Sequence, residues 1–332
     1  MRLVMMGTGT FAEPTFEALL SGPHPVVGLV TQPDRAVGQE RGSTRQTGKG
    51  MKAIAEAKGI PVYQPESVNT PEGVAKLKEW QAELLVVAAY GQILSKDVLE
   101  AAPRGGINVH ASLLPKYRGA APVAWAIYHG ETKTGVTIIR MTTGLDAGDM
   151  LAQEAIDILP DETAGELEAR LAPLGARLAL KMIDEIAAGT AHGTKQDKSQ
   201  VTKAPKLKKE DGVIDWTRSV VEVCNHVRAM QPWPTPYTYL HRVGKPPVRI
   251  IVSRAAPAGI AAFGLGPGGP SAGEAFTRAG TPPQLVVWAG AEHPGGVSIL
   301  ELQPAGKKRM TAEEFLRGHP IKEGDHFGPE SS

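Results

Sequence analysis

The sequence predicts an α/β domain built on a parallel sheet, followed by a smaller all-β barrel. Three observations carry that prediction. First, a strand from Arg2 to Met6 runs into Gly7-Thr8-Gly9-Thr10-Phe11-Ala12 and then a helical stretch from Pro14 to Leu20, a strand–turn–helix unit. Second, Leu84 to Ala89 is a continuous apolar run, as a parallel strand buried on both faces requires. Third, beyond residue 236 the apolar runs become short and are separated by turn residues, the pattern of a small barrel. The length of 332 residues favours two domains, expected at 1–189 and 210–332, with residues 190–209 between them as a linker.

Composition narrows the function classes. An apolar fraction of 42% suffices for ordinary buried cores, and no run approaches the ~20 apolar residues of a membrane span. The N-terminus enters a strand–turn pattern at once and offers no signal peptide. The net charge of +1 excludes a globally basic nucleic-acid binder, so any RNA contact must come from local clusters. The single cysteine, Cys224, has no disulfide partner and no CxxC metal pair. A soluble, cytoplasmic protein without a metal is the expectation.

In order along the chain, a strand from Val26 to Thr31 runs into Gln32-Pro33-Asp34, which leaves the acidic residue in a loop. The glycines of the first turn therefore read as tight-turn residues, not as a dinucleotide site. Residues 34–51 form a long polar loop carrying Arg35, Arg41, Arg45 and Lys49. Composition alone leaves it either a solvated surface or a contact surface. Lys52 to Lys58 reads as a helix and Ile60 to Tyr63 as a strand. Thr70-Pro71-Glu72 signals the start of a helix reaching Trp80. After the apolar strand at Leu84 come Gln92, Ile93 and Leu94. In open α/β sheets ligands bind outside the carboxyl ends of strands, so these three either line a pocket or pack at a helix entry.

The stretch from Gly105 to Leu151 organises the rest. Gly106-Ile107-Asn108-Val109-His110 alternates apolar and polar residues, which turns Asn108 and His110 to one face of a strand. An amide donor beside a titratable imidazole suits a developing oxyanion, although both types also serve as ordinary strand-end residues. Ser112-Leu113-Leu114-Pro115 then breaks the strand. A second strand, Val136 to Met141, leads into the loop Gly144-Leu145-Asp146-Ala147-Gly148-Asp149, which can bring a carboxylate near the imidazole. Ala121 to His129 reads as a helix with Trp125 and Tyr128 buried, Ile156 to Leu159 as a short strand, and Thr163 to Ala188 as a long amphipathic helix. Six lysines lie between Lys195 and Lys209 with Asp197 the only acid, which is linker composition, either solvated or tracking phosphates. A helix from Ser219 to Met230 and short strands at Tyr237, Val248, Leu285 and Val297 follow. Ala255 to Pro283 reads as a loop rich in Gly, Ala and Pro, Thr311 to Arg317 as a helix, and residues after His319 as poorly ordered.

Asn108-x-His110, then Ser112 to Pro115, then a distal Asp146 in a glycine-rich loop is a pattern that resembles the folate-dependent formyltransferases. The wording SLLPKYRGAAPVAWAI and GLDAGDML is most similar to the branch that formylates methionyl-tRNA, and the likeness extends over nearly the whole chain, more weakly after about residue 254. The resemblance implies a Rossmann-like catalytic domain with an OB-like β-barrel domain at the C-terminal end. It further implies 10-formyltetrahydrofolate as co-substrate and initiator methionyl-tRNA as partner, for a monomer acting in translation initiation. It gives Asn108, His110 and Asp146 as catalytic residues. Ser112, Leu113, Leu114, Pro115, Gln92, Ile93 and Leu94 would hold folate. Arg35, Arg41, Arg45, Lys49, Lys206, Lys208 and Lys209 would contact RNA. The nearest alternative is a nucleotide-sugar N-formyltransferase, which shares the catalytic pattern. A glycinamide ribonucleotide formyltransferase fits less well because that branch lacks a second domain, and a non-catalytic tRNA-binding protein would not need Asn108, His110 and Asp146 together.

Overall fold

In the computed structural model, which describes residues 1–34, 50–261, 270–292 and 294–331, the first strand is Leu3–Gly7 (β1), buried at every position. The elements that follow are α1 (Glu13–Ser21), β2 (Val26–Val30), α2 (Met51–Ala57), β3 (Val62–Tyr63), α3 (Pro71–Glu79), β4 (Leu84–Ala88), α4 (Lys96–Glu100) and β5 (Gly106–His110). Then come β6 (Arg118–Gly119), α5 (Pro122–Tyr128), β7 (Lys133–Arg140), β8 (Met150–Asp157), α6 (Ala164–Ala188) and β9 (Lys203–Ala204). The start signals act as their chemistry dictates: Thr70 Oγ1 accepts the Gly73 N–H at 3.2 Å and Ser95 Oγ accepts the Val98 N–H at 3.3 Å. Gly7 must be glycine, because a Cβ there would come within 2.8 Å of both the Ala12 Cβ and the Ala88 carbonyl.

These elements build a seven-stranded sheet in the order β3-β2-β1-β4-β5-β7-β8. The pairs from β3 to β5 are parallel, and β7 and β8 add to it antiparallel. This is a Rossmann-like sheet whose central strand, β4, is buried along its whole length. Its sequence shows this because both faces are covered. Strand β8 is longer than the short strand at Ile156 that the sequence suggests. It lies at the sheet edge beyond β7, joined otherwise by one bridge from Met150 to Thr194, and its exposed face carries Gln153, Ala155 and Asp157, so its apolar content understates its length. Trp125 and Tyr128 are half-buried, not buried, and Trp125 Nε1–H donates to the Pro205 carbonyl at 2.8 Å.

A second compact unit consists of residues 127–131, 160–164 and 207–332, and the first keeps the chain up to residue 206. Much of the lysine-rich stretch is thus no free connector: β9 lies parallel to β6, with Arg118 opposite Lys203 and Gly119 opposite Ala204. Composition missed this because the pairing uses backbone groups. The second unit holds α7 (Val220–Ala229), β10 (Tyr237–Arg242), β11 (Lys245–Ala261), β12 (Ala275–Arg278), β13 (Gln284–Ala289), β14 (Gly295–Pro304), β15 (Met310–Thr311), α8 (Ala312–Gly318) and β16 (His326–Gly328). Its strands order as β12-β13-β14-β11-β10-β16 in an antiparallel, OB-like sheet, with β15 on β14. Leu240, Ile250, Val252, Leu285, Val287, Ile299 and Phe315 fill its core.

Two sequence expectations fail here. Residues 255–283 are partly strand, since β11 continues to Ala261 and β12 follows; ladder pairing needs no large side chains. Residues 320–331 are packed in place: Phe327 is buried against the Trp216 ring, and β16 closes onto β10. A single aromatic, Phe327, supplies the anchor, too little for a pattern to show.

His226 on α7 is only 4% exposed, and its pKa is pushed down to about 4, chiefly by burial, against the opposing effect of a hydrogen bond to the backbone of Gly212. Between the ordinary histidine value and about pH 4, the unfolded chain takes up a proton that the folded one refuses. Stability therefore falls as pH drops through that window, by about 3 kcal/mol in total. Urea unfolding at about pH 7 and about pH 5 should show this loss, and His226→Phe should show a shallower one.

Candidate active site

Strand β5 sets two polar side chains beside a loop. Ile107 and Val109 are buried, while Asn108 and His110 turn toward the segment between β7 and β8. That segment delivers Asp146, held at φ +47°, a left-handed conformation that few residues adopt. Asn108 Nδ2 donates to Asp146 Oδ1 at 3.3 Å, and His110 Nδ1 stands 3.6 Å from Asp146 Oδ2. The His110 side chain is 5% exposed and that of Asp146 11%. The three predicted catalytic residues therefore meet at one largely dry point.

Backbone groups complete the arrangement. The Gly119 N–H donates to Asp146 Oδ2 at 2.9 Å. His110 Nε2 lies 2.9 Å from the Tyr117 carbonyl, which can only accept, so Nε2 carries the proton and Nδ1 faces the carboxylate. A neutral His110 presents a lone pair at Nδ1, whereas a protonated one presents a donor beside an anion. The distance to Asp146 exceeds an ordinary hydrogen bond, which leaves Nδ1 able to turn its proton to another acceptor. An amide N–H, an imidazole nitrogen and a carboxylate at one point can stabilise an oxyanion and take up a proton.

Ser112 to Pro115 forms the turn behind this point. Thr137 Oγ1 donates to the Ser112 carbonyl at 2.6 Å and accepts from the Leu114 N–H at 3.1 Å, and Gln153 Nε2 donates to the Leu114 carbonyl at 2.9 Å. Those main-chain groups are engaged in holding the turn. Leu113 and Pro115 are half-buried. At the carboxyl end of β4, Gln92 is tied by its side-chain amide to the Glu66 carbonyl and the Val68 N–H, Ile93 is 58% exposed, and Leu94 lies in the core. Of these three, Ile93 alone presents an apolar side chain to a ligand; Leu94 can contribute only its backbone. Lys206, Lys208 and Lys209 are exposed, as phosphate contacts require. Arg35, Arg41, Arg45 and Lys49 lie outside the described residues. No group of three or more metal-ligating side chains occurs among the described residues.

Sequence reading did not single out the Tyr117 carbonyl, the Gly119 amide, Gln196 or Thr202. The first two are backbone groups, which leave no side-chain signature. A hint existed in Gly119, whose φ of +130° and contact with Ala204 admit no side chain. Gln196 Nε2 donates to the carbonyls of Asp146 and Gly148, both at 2.8 Å, from within a run that reads as linker.

Residues 1–183 match the family described as formyl transferase, and residues 206–320 match its C-terminal domain. A methionyl-tRNA formyltransferase of Solibacter usitatus is 45% identical over 99% of this chain and 99% of its own. Another, from Geobacter sulfurreducens, is 42% identical over 100% of this chain and 98% of its own. Among solved structures, a sugar 3N-formyl transferase in the presence of dTDP and 5-N-formyl-THF superposes with a TM-score of 0.63 at 16% identity, covering 93% of this chain and 99% of that one. The N-formyltransferase of Helicobacter canadensis, in complex with folinic acid and dTDP-3-aminofucose, gives 0.62 at 17% identity over 90% of this chain and 98% of its own. At such identities these two speak for the fold alone.

The site geometry makes Gly119 a test position. A Cβ there would lie 2.3 Å from the Ala204 carbonyl oxygen, so Gly119→Ala must part β6 from β9 and draw the Gly119 amide off Asp146. A fold that still melts cooperatively, with activity lowered about 100-fold, is the expected result.

Proposed function

The chain belongs to the methionyl-tRNA formyltransferases of the formyl transferase family, and from that premise we propose how its site performs the reaction. The protein transfers a formyl group to the α-amino group of methionyl-tRNA, and the acceptor is the initiator species used to begin translation. The observation that carries the mechanism is the convergence of Asn108, His110 and Asp146 within 3.6 Å.

The formyl donor, 10-formyltetrahydrofolate, supplies an electrophilic carbonyl whose oxygen gains negative charge as the amine attacks. The residues present fit that donor: an amide N–H and an imidazole nitrogen stand together on β5, and a carboxylate faces them. Asn108 Nδ2–H and protonated His110 Nδ1–H donate to the oxygen as its charge grows. Asp146 balances the imidazolium, accepts the proton that the amine sheds, directly or through a water, and returns it to N10 of the donor as the bond between the formyl carbon and N10 breaks and tetrahydrofolate leaves. Burial keeps bulk water from weakening these interactions. Ser112, Leu113, Leu114 and Pro115 wall the folate site, with Gln92, Ile93 and Leu94 at its other side.

The basic residues serve the tRNA. Lys206, Lys208 and Lys209, with Arg35, Arg41, Arg45 and Lys49, neutralise phosphates and position the acceptor end. The work is done by a monomer, in the cytoplasmic compartment where translation occurs. A nucleotide-sugar acceptor is not favoured: relatives at 45% and 42% identity over nearly the full chain carry the tRNA assignment.

Steady-state formylation of methionyl-tRNA tests this. Asn108→Ala should lower kcat by about 10²–10³, some 3–4 kcal/mol in the barrier. His110→Ala and Asp146→Asn should be at least as damaging. Folded variants with wild-type rates would remove the residue assignments. Neutralising Lys206, Lys208 and Lys209 together should raise KM for tRNA, leave kcat nearly unchanged and flatten the salt dependence of binding by about three unit slopes.

A further inference from the structure

Hydrogen bonds that hold the backbone around both ionisable residues of the site lead to one segment, residues 194–204. The His110 ring is fixed at Nε2 by the Tyr117 carbonyl. That carbonyl belongs to the peptide between Tyr117 and Arg118, whose N–H donates to the Thr202 carbonyl at 2.9 Å. The preceding amide, Tyr117 N–H, donates to Thr202 Oγ1 at 2.8 Å. Thr202 thus grips the chain on both sides of Tyr117, which sits at φ +62°, a conformation unfavourable for a bulky residue unless its surroundings enforce it. If this peptide flipped, the His110 bond and the Thr202 carbonyl bond would be lost together.

A second tie runs to Asp146. Gln196 Nε2 donates to the Asp146 and Gly148 carbonyls, and Gln196 Oε1 accepts from Arg118 Nη2 at 2.7 Å and Nε at 3.1 Å. Both N–H groups and both oxygen lone pairs of this amide are used, a fully satisfied bridge with little freedom to turn. Thr194 anchors the segment through two 2.8 Å backbone bonds to Met150.

We infer that Gln196 and Thr202 are positioning residues of the formyl-transfer site. Thr202 holds the Tyr117 carbonyl that sets the ring tautomer of His110, and Gln196 holds the backbone that presents the Asp146 carboxylate. Neither touches a reacting atom. Without Thr202 Oγ1, the Tyr117 peptide loses one of its two restraints, and the imidazole can exchange its proton between nitrogens. Without the Gln196 amide, the loop at Asp146 relaxes from its left-handed conformation and the carboxylate drifts from Asn108 and Gly119.

The kinetic half of the test rests on the reaction given above; the spectroscopic half does not. Thr202→Val exchanges a hydroxyl for a methyl of similar size, Thr202→Ser restores it, and Gln196→Met keeps the length without the amide. Thr202→Val and Gln196→Met should each lower kcat about tenfold to 100-fold while KM for donor and tRNA stays within about twofold, and Thr202→Ser should regain most of the rate. In the free protein, ¹⁵N NMR should find the His110 proton on Nε2 in the wild type and shared between both nitrogens in Thr202→Val. The ¹³Cγ resonance of Asp146 should shift in Gln196→Met. Unchanged spectra would overturn the inference whatever the rates. So would a loss of rate that Thr202→Ser does not repair, because that pattern marks a structural role. A wild type that fails to formylate methionyl-tRNA would instead remove the assigned reaction, with the spectra still deciding the positioning.

Discussion

A carboxylate that accepts from an amide side chain and a backbone N–H, beside an imidazole, is the interaction on which this structure depends. Asp146 is acceptor-only, so each of its oxygens must be met by a donor once it is withdrawn from water. Asn108 meets one and the Gly119 amide the other. The remaining neighbour, His110 Nδ1, stands slightly too far for a settled hydrogen bond. That spacing suits the proposed chemistry. An imidazolium locked onto the carboxylate would be a poor donor to anything else, whereas one held electrostatically and anchored from behind, at Nε2, can turn its charge toward an arriving oxygen.

The fold exists to make this meeting possible. A parallel strand buried on both faces, β4, places β5 beside it, and β5 ends where the sheet changes from parallel to antiparallel pairing. The antiparallel hairpin of β7 and β8 then sends its connecting loop back over the end of β5, with Asp146 in it. Residues far apart in sequence, at 108, 119, 146, 196 and 202, are joined by ladders and bonds whose geometry is backbone geometry. The strand pair of β6 and β9 is only two residues on each side, yet Gly119 belongs to it and also touches the carboxylate.

Much of this was legible in the sequence, and the reasons differ by element. Strand β4 could be read because burial on both faces leaves an unbroken apolar run. The helix starts at Thr70 and Ser219 could be read because a capping side chain is local chemistry. Asn108 and His110 could be paired from the period-two alternation alone, and Asp146 joined to them by resemblance to a family. What could not be read is what depends on main-chain contacts at long range. The 190–209 stretch looks like a solvated connector by composition, and nothing in its lysines announces that Gln196 and Thr202 bond to the backbone beside Asp146 and His110. The strand at His326 escaped notice because one buried aromatic, Phe327, carries no periodicity. Leu94 was legible as apolar but not as core or pocket, since those two environments select the same side chain.

If Asn108 and Asp146, joined by a hydrogen bond, act as one unit, their effects on catalysis cannot be independent. A double-mutant cycle on kcat for methionyl-tRNA formylation, using Asn108→Ala, Asp146→Asn and the pair together in folded protein, tests this most directly. The account predicts strong non-additivity, with the double variant little slower than the worse single one. Losses that simply add, to within about 0.5 kcal/mol, would show the two side chains working apart and would contradict it.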